Sequence, residues 1–297
     1  MRFNTKQILV DAQQGEYAVA AFNVYSLETV QAAISVAEKE NQPVIIALGE
    51  RYFPTVDVEG FAALVQAMAG KSRVPVALHL DHAYEKSSII RAIRCGFTSV
   101  MYDGSKFDLE ENIQRTKEIV EIAHKAGVSV EAEIGSVARG AFSDEEDGDG
   151  TLTDPESAKR FVAETGVDFL AAAIGTVHGM YTGEPKIDLA LLERIRSEVQ
   201  VPLVLHGGSG TPDDVISQAI RSGICKINVN TEISMAAVAH LLKFAADASA
   251  SKVHLSTIMA HMQQSMEPVM TKFVRLFAQM ERKHRRMGID LEEWDSL

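Results

Sequence analysis

The chain alternates between short apolar runs and longer amphipathic runs, and this alternation limits its fold more than any other feature. Apolar runs such as PVIIALG and VPVALHL lack period-two alternation, which is typical of parallel strands covered on both faces. Each precedes a run with helical spacing, such as VEGFAALVQAMAG. Eight such pairs follow one another along the chain. This number predicts an α/β fold of the TIM (β/α)8 barrel type. A doubly wound open sheet is the competing architecture.

Three segments lie outside this pattern. A short N-terminal helix is predicted over Thr5 to Gly15, and a helical C-terminal extension over residues 256–297, where apolar residues recur at three- and four-residue steps. We interpret this apolar stripe as a face that packs against the barrel or a second subunit, so that residues 1–297 form a single barrel domain. The acidic run SDEEDGDG is predicted to be a mobile surface loop, with a lid over the active site as the alternative.

Composition excludes several classes of function. With 297 residues, 46% of them hydrophobic, the chain is an ordinary globular protein, and its net charge of -12 argues against nucleic-acid or anionic-membrane partners. We find no apolar stretch of the about 18 residues that a membrane span needs, and no secretory signal pattern. We therefore expect a cytoplasmic protein with small-molecule partners. Cys95 and Cys225 lie among apolar neighbours and are interpreted as buried thiols.

Three histidines fall at the C-terminal ends of different predicted strands. They are His82 after VPVALHLD, His178 after FLAAAIGTV and His206 after VPLVL. In a TIM barrel the active site is built at this end of the strands, so the three imidazoles are expected to converge. Three protein ligands with a fourth position open are typical of a catalytic zinc site.

Carboxylates end the neighbouring strands. Asp103 and Glu133 are candidate acceptors that fix the imidazole tautomers, or alternative metal ligands. Asp81 precedes His82 and is close enough to the reacting centre for proton transfer from a substrate hydroxyl. His79 is an alternative ligand, although we interpret it as a histidine lower in the strand.

Glycines and amides at the last two strands predict a phosphate site. The run His206 to Gly210, HGGSG, joins the seventh strand to a helix, so backbone N–H groups and a serine hydroxyl face one anion. Asn228 to Thr231 follow the eighth strand, and barrels commonly bind phosphate at these two loops.

Seven motifs together resemble the class II, metal-dependent ketose-bisphosphate aldolases, a family that includes fructose- and tagatose-bisphosphate aldolases. The order and spacing of these motifs match over roughly residues 5–240: AFNV, HLDH, EAEIG, AIGTVHGMY, EPK, PLVLHGGSG and KINVNTE. The resemblance implies that His82, His178 and His206 bind one zinc ion per subunit and that Asp81 exchanges a proton with the C4 hydroxyl. Whether a monovalent cation assists stays open.

The resemblance also implies a substrate site, an acid and an assembly. The residues that would hold dihydroxyacetone phosphate or line the site are Asn23, Gly179, Lys186, Gly207, Gly208, Ser209, Asn228, Val229, Asn230 and Thr231. The family carries its proton donor on the loop after the fifth strand, where Glu145 or Glu146 stands. A phosphorylated sugar is the implied substrate, and a homodimer or homotetramer the implied assembly.

Two departures from the family leave the substrate open. Asn230 stands where fructose-bisphosphate enzymes usually carry aspartate and tagatose-bisphosphate enzymes alanine, and the family's arginine for the distal phosphate is replaced around Leu241 to Lys243. An aldolase of a keto-acid or ketose monophosphate, as in inositol breakdown, is therefore an alternative. The further rivals are a Schiff-base aldolase using Lys226 or Lys186, and a non-catalytic subunit that binds metal or phosphate.

Overall fold

The structure, a computed structural model, describes residues 3–145, 148–247 and 252–280. Eight parallel strands in these ranges close into a barrel, and two further strands, β6 and β8, pair with one another outside it. The strands are β1 (Val19–Asn23), β2 (Val44–Gly49), β3 (Val76–Ala83), β4 (Ser99–Tyr102), β5 (Ser129–Ile134), β6 (Ala138–Arg139), β7 (Phe169–Ala172), β8 (Val177–His178), β9 (Leu203–Leu205) and β10 (Ile224–Val229). Around the barrel they follow the order β1-β10-β9-β7-β5-β4-β3-β2. The predicted TIM barrel is confirmed.

Seven of the described helices connect successive barrel strands, as the amphipathic runs predict, while the first helix precedes the barrel strands and the last two follow them. They are α1 (Thr5–Gln14), α2 (Leu27–Lys39), α3 (Val58–Lys71), α4 (Lys86–Arg94), α5 (Leu109–Lys125), α6 (Pro155–Thr165), α7 (Leu189–Glu198), α8 (Asp213–Arg221), α9 (Thr231–Ala246) and α10 (Leu255–Phe277), with a short 3-10 turn at Glu50–Tyr52. Ser26, Asp108 and Asp154 cap their helices by accepting a backbone hydrogen bond through the side chain.

The barrel strands are buried along their whole length, because helices cover them outside and side chains fill them inside. At the N-terminal end of the barrel, Ile8, Leu9 and Ala12 of α1 pack against interior residues such as Phe169 and Val204. This end is therefore closed by an apolar plug, and polar interior groups lie toward the opposite end.

The predicted C-terminal extension packs on the barrel. Met266, Met270 and Phe273 of α10 are buried in the main core. Arg275 Nε lies 2.9 Å from Glu40 Oε2 next to α2, which ties the extension to the barrel's outer helices. Residues 281–297 of the predicted extension lie outside the described residues. Among the helices described, none is long and apolar enough to cross a bilayer.

Candidate metal and phosphate site

The three predicted histidines meet at the C-terminal end of the barrel. Their ring centroids lie 4.5 Å apart for His82 and His206, 5.0 Å for His82 and His178, and 5.6 Å for His178 and His206. One ring nitrogen of each lies within 4.8 Å of the other two. Histidines separated by up to 124 positions in sequence thus present three nitrogens to one point, the arrangement that a zinc ion requires.

Carboxylates orient two of the rings. His82 Nδ1 hydrogen-bonds Asp103 Oδ2 at 2.8 Å, and His206 Nε2 hydrogen-bonds Glu131 Oε1 at 2.9 Å. Among the described residues, His178 Nε2 is buried without a hydrogen-bond partner, and His206 Nδ1 lies 2.9 Å from Glu133 Oε2 without hydrogen-bond geometry. Such nitrogens are costly unless they bind something, so the donor set fits a divalent metal ion. Glu133 is an additional oxygen donor, grouped with His82 and Asp103.

The charges around the histidines favour a cation. Burial lowers the pKa of His82, but the carboxylates of Glu145, Asp81 and Asp103 outweigh it and raise that pKa well above its usual value. Burial, together with the two neighbouring histidines, holds the pKa of His178 well below its usual value. The carboxylate charge that favours a proton on His82 also favours a metal ion there.

Asp81 is fixed beside this centre by two amides. Asn23 Nδ2 donates to one of its oxygens at 2.7 Å, and Asn228 Nδ2 donates to the other at 2.9 Å. Burial raises the pKa of Asp81, but the positive charges of His82 and Lys226 outweigh it and hold that pKa well below its usual value. The site therefore contains an ionised carboxylate with fixed orientation next to the candidate metal ligands.

A buried ionic network lies below the histidines, and sequence reasoning missed it. Lys226 Nζ lies 2.8 Å from Glu131 Oε2, and both side chains are fully buried. His79 Nδ1 hydrogen-bonds Ser99 Oγ at 2.7 Å, and its Nε2 lies 3.4 Å from Glu131. His79 therefore lies lower in the barrel, as we interpreted it. Glu131 precedes Glu133 by two positions and so shares its strand face, a signal that pattern analysis had available.

A cavity next to the histidines contains most of the predicted substrate residues. Among the residues that line it are Asn23, Asp81, His82, His178, Gly179, Gly207, Gly208, Ser209, Asn228, Asn230 and Thr231. A Cβ on Gly207 would lie 2.2 Å from Val177 O, and one on Gly208 2.5 Å from Asn228 O, so only glycine fits at either position. Asn230 precedes α9 without a side-chain capping bond, which leaves the start of that helix directed at the cavity.

Two of the predicted substrate residues, Val229 and Lys186, are not among those lining this cavity. Val229 is buried in the main core, and Lys186 has an exposed side chain. Glu146 lies outside the described residues. Two further predicted residues, Asp103 and Glu133, line a second cavity on the other side of His82.

The loop after β5 reaches the site through Glu145. Ser143, Asp144 and Glu145 line the first cavity, and a Glu145 oxygen lies within 4.8 Å of ligand atoms of Asp81 and His82. Burial raises the pKa of Glu145 above its usual value. The acidic loop, as far as the structure describes it, thus covers the candidate metal centre.

Comparison with known proteins agrees with this geometry. The family model for class II fructose-bisphosphate aldolase matches residues 3–282. The chain belongs to this family. The barrel resembles that of the YdjI aldolase of Escherichia coli K12, with 36% identity, a TM-score of 0.84 and coverage of 93% of this chain and 97% of that one.

Two further solved structures have the same architecture. A putative fructose-1,6-bisphosphate aldolase from Coccidioides immitis has 31% identity, a TM-score of 0.82 and coverage of 92% of this chain and 96% of that one. Fructose-bisphosphate aldolase from Campylobacter jejuni, at 21% identity and a TM-score of 0.78, covers 93% of this chain and 95% of that one, and shows the shared fold. The predicted enzyme class, a carbon–carbon lyase, is confirmed.

The lysines weighed for a Schiff base are poorly placed for one. Lys226 is fully buried in its ion pair with Glu131, and Lys186 is exposed and does not line the cavity. A Schiff-base lysine must present its amine to the substrate carbonyl in the active-site cavity. Neither lysine lines that cavity, in agreement with membership of the class II family.

Proposed function

We propose that this aldolase depends on zinc and reversibly cleaves a phosphorylated ketose to dihydroxyacetone phosphate and an aldehyde. The substrate we favour is fructose 1,6-bisphosphate or tagatose 1,6-bisphosphate, which would give glyceraldehyde 3-phosphate. The observation that carries the proposal is the convergence of His82, His178 and His206 beside Asp81 and a glycine-lined cavity.

The residues that would hold the zinc ion are His82, His178 and His206, with Asp103 and Glu133 beside them. When bound, zinc supplies Lewis-acid chemistry, which polarises the ketose carbonyl and stabilises the negative charge that cleavage leaves on the three-carbon fragment. Asp103 accepts a hydrogen bond from His82 and so keeps the opposite ring nitrogen directed at the centre.

Asp81 and Glu145 would move the protons. Asp81, ionised and held by Asn23 and Asn228, accepts the proton of the C4 hydroxyl while the C3–C4 bond breaks and the C4 oxygen becomes the aldehyde oxygen. The electron pair of the broken bond stays on the three-carbon fragment. Glu145, whose pKa is raised by burial, then delivers a proton to C3 of that fragment.

Backbone groups would hold the phosphate of dihydroxyacetone phosphate. Gly179, the run Gly207 to Ser209 and the segment Asn228 to Thr231 surround the cavity next to the start of α9. Helix N-termini and glycine-rich turns bind anions through backbone N–H groups, so an acidic protein needs no lysine cluster for this phosphate.

A keto-acid or ketose monophosphate is the second candidate substrate. Asn230 donates to Asp144 Oδ1 at 3.0 Å, so its amide is engaged with the loop. The α9 segment from Leu241 to Lys243 contains no arginine for a second phosphate. Both observations fit a substrate whose distal group differs from that of the common bisphosphates.

The test is an assay of purified, metal-analysed protein for dihydroxyacetone phosphate, detected by coupled reduction with NADH. The substrates are fructose 1,6-bisphosphate, tagatose 1,6-bisphosphate and the matching 1-phosphates. Turnover that EDTA abolishes and zinc restores is the expected result. Turnover that survives complete metal removal would refute the proposed chemistry. If the zinc-loaded protein cleaves none of these substrates, the proposed substrate class is refuted.

We further propose that the enzyme works in the cytoplasm as a homodimer or homotetramer. Light scattering on the eluate of a size-exclusion column measures the assembly directly, and a monomeric mass at micromolar concentration would contradict it.

A further inference from the structure

Arg51 is held over the mouth of the barrel by its neighbours. It follows β2 in the Glu50–Tyr52 turn, and its guanidinium folds back over Gly49, where a Cβ would lie 3.1 Å from Nη1. The guanidinium carbon lies 4.8 Å from the centroid of the Tyr52 ring, and that ring packs 4.8 Å from the Tyr25 ring. An arginine fixed in this way loses little further entropy when it binds an anion.

Two loop carboxylates contact this guanidinium. Arg51 Nη1 donates a hydrogen bond to Glu145 Oε2, and Arg51 Nε lies 3.5 Å from Asp144 Oδ2. Tyr52 and Asn230 also donate hydrogen bonds to Asp144. The positions that surround Arg51 are thus those that a planar or tetrahedral oxyanion would take.

The guanidinium has unused donors. Among the described residues, Arg51 Nε and Nη2 are buried without a hydrogen-bond partner. Buried donors of this kind are costly, and a ligand with several oxygens would satisfy them. Glu145 and Asp144 therefore balance the charge of Arg51 but leave some of its N–H donors without a hydrogen bond.

The distance to the reacting centre fits the far end of a six-carbon ketose. The Glu145 carboxylate links Arg51 to the reacting centre, since its Oε2 accepts a hydrogen bond from Arg51 Nη1 and one of its oxygens lies within 4.8 Å of ligand atoms of Asp81 and His82. If Asp81 lies at the C4 hydroxyl, C6 is two bonds further out. This step rests on the proposed function.

We propose that Arg51 binds the terminal anionic group of the substrate, a phosphate or a carboxylate, and exchanges its contacts with Glu145 and Asp144 for that group. The exchange selects substrates with an anion at the end remote from the dihydroxyacetone unit. It also releases Glu145 from its ion pair, so that binding of the correct substrate frees the proposed acid. Arg51 is thus a specificity-determining residue.

The test measures binding of non-cleavable sugars by isothermal titration calorimetry. Three probes that lack a carbonyl differ only at one end: a hexitol 6-phosphate, the hexitol 1,6-bisphosphate and the hexonate 6-phosphate, each in the gluco and galacto series. In at least one series, we expect the zinc-loaded protein to prefer one doubly anionic probe over the monophosphate by about 10- to 100-fold. The bisphosphate or the hexonate, whichever binds more tightly, identifies the terminal group.

Variants assign this preference to Arg51. We expect Arg51→Gln to abolish it while monophosphate affinity stays within about threefold, Arg51→Lys to keep part of it, and the remote surface variant Arg115→Gln to keep all of it. Asp144→Asn removes a carboxylate that competes with the probe for the Arg51 guanidinium, so this variant should bind the preferred probe more tightly. Equal binding of all probes, or a preference that survives Arg51→Gln, overturns the proposal, and weaker binding in Asp144→Asn overturns the exchange.

Steady-state kinetics of the Arg51 variants distinguish an anion-binding role of Arg51 from a role that only holds the loop in place. A residue that only holds Glu145 in place would lower kcat/KM by the same factor for a ketose 1-phosphate and a ketose 1,6-bisphosphate, whereas loss of an anion site lowers kcat/KM by a larger factor for the bisphosphate. Because the calorimetry needs no cleavage, an Arg51-dependent preference without aldolase activity would refute the proposed function and leave this inference standing.

Discussion

The ion pair between Lys226 and Glu131 offers a quantitative test of how the barrel interior supports the site. Both side chains are fully buried, with Nζ 2.8 Å from Oε2 and 3.1 Å from Oε1. At an effective dielectric constant of about 20, two charges at this distance attract by about 6 kcal/mol, much of which offsets desolvation. Lys226→Met removes the positive charge and leaves Glu131 buried.

The cost of this change has an upper bound. Burial raises the pKa of Glu131, but Lys226 and His206 outweigh it and lower that pKa from 4.5 to about 2. Without Lys226, Glu131 can take up a proton instead of remaining charged, and protonating a group of normal pKa at pH 7 costs about 3.4 kcal/mol. We therefore expect Lys226→Met to lower the free energy of unfolding by about 2–3.4 kcal/mol.

Urea unfolding followed by far-UV circular dichroism measures this cost, with EDTA present so that metal binding adds nothing to stability. The double variant Lys226→Met, Glu131→Gln removes both charges and should lie within about 1 kcal/mol of wild type. A cost below about 0.5 kcal/mol for the single variant, or a double variant as unstable as the sum of the single ones, would refute the reasoning.

The remaining predictions concern the site itself. Asp81→Ala should keep zinc content and fold but lose about 10²- to 10⁴-fold in kcat, and substantial remaining turnover would remove Asp81 from its role. His206→Ala should lower the zinc content measured by metal analysis, and an unchanged content would remove His206 from the set of metal ligands. Gly208→Ala should raise KM for every phosphorylated ketose, since the new Cβ would lie 2.5 Å from Asn228 O, and an unchanged KM would contradict the phosphate site.

Sequence patterns predicted the barrel and the histidine centre because both depend on local regularities. A strand–helix alternation specifies where each strand ends, and the barrel then brings all strand ends to one rim whatever their separation in sequence. His82, His178 and His206 could therefore be grouped without knowing any side-chain orientation. The single-domain arrangement, the oligomeric state and the roles of the individual residues stay predictions.

The ionic network and Arg51 depend on contacts that no local pattern contains. Glu131 on β5 and Lys226 on β10 belong to strands that are not neighbours in the sheet, so they meet only across the barrel interior. Arg51 reaches the site because a 3-10 turn and Gly49 let its side chain fold back over the barrel mouth. Neither contact follows from the spacing of apolar residues.

The backbone at His82 explains why two adjacent residues can both serve the site. Neighbouring residues of a regular strand point to opposite faces, so Asp81 and His82 could not both face the barrel mouth. The pairing of β3 with β4 shifts register between Leu80 and Ala83, and His82 has φ = 40°, an uncommon conformation for a residue other than glycine. This irregularity turns His82 toward His206 while Asp81 stays between Asn23 and Asn228, so the local strain is what puts a proton acceptor directly beside a metal ligand.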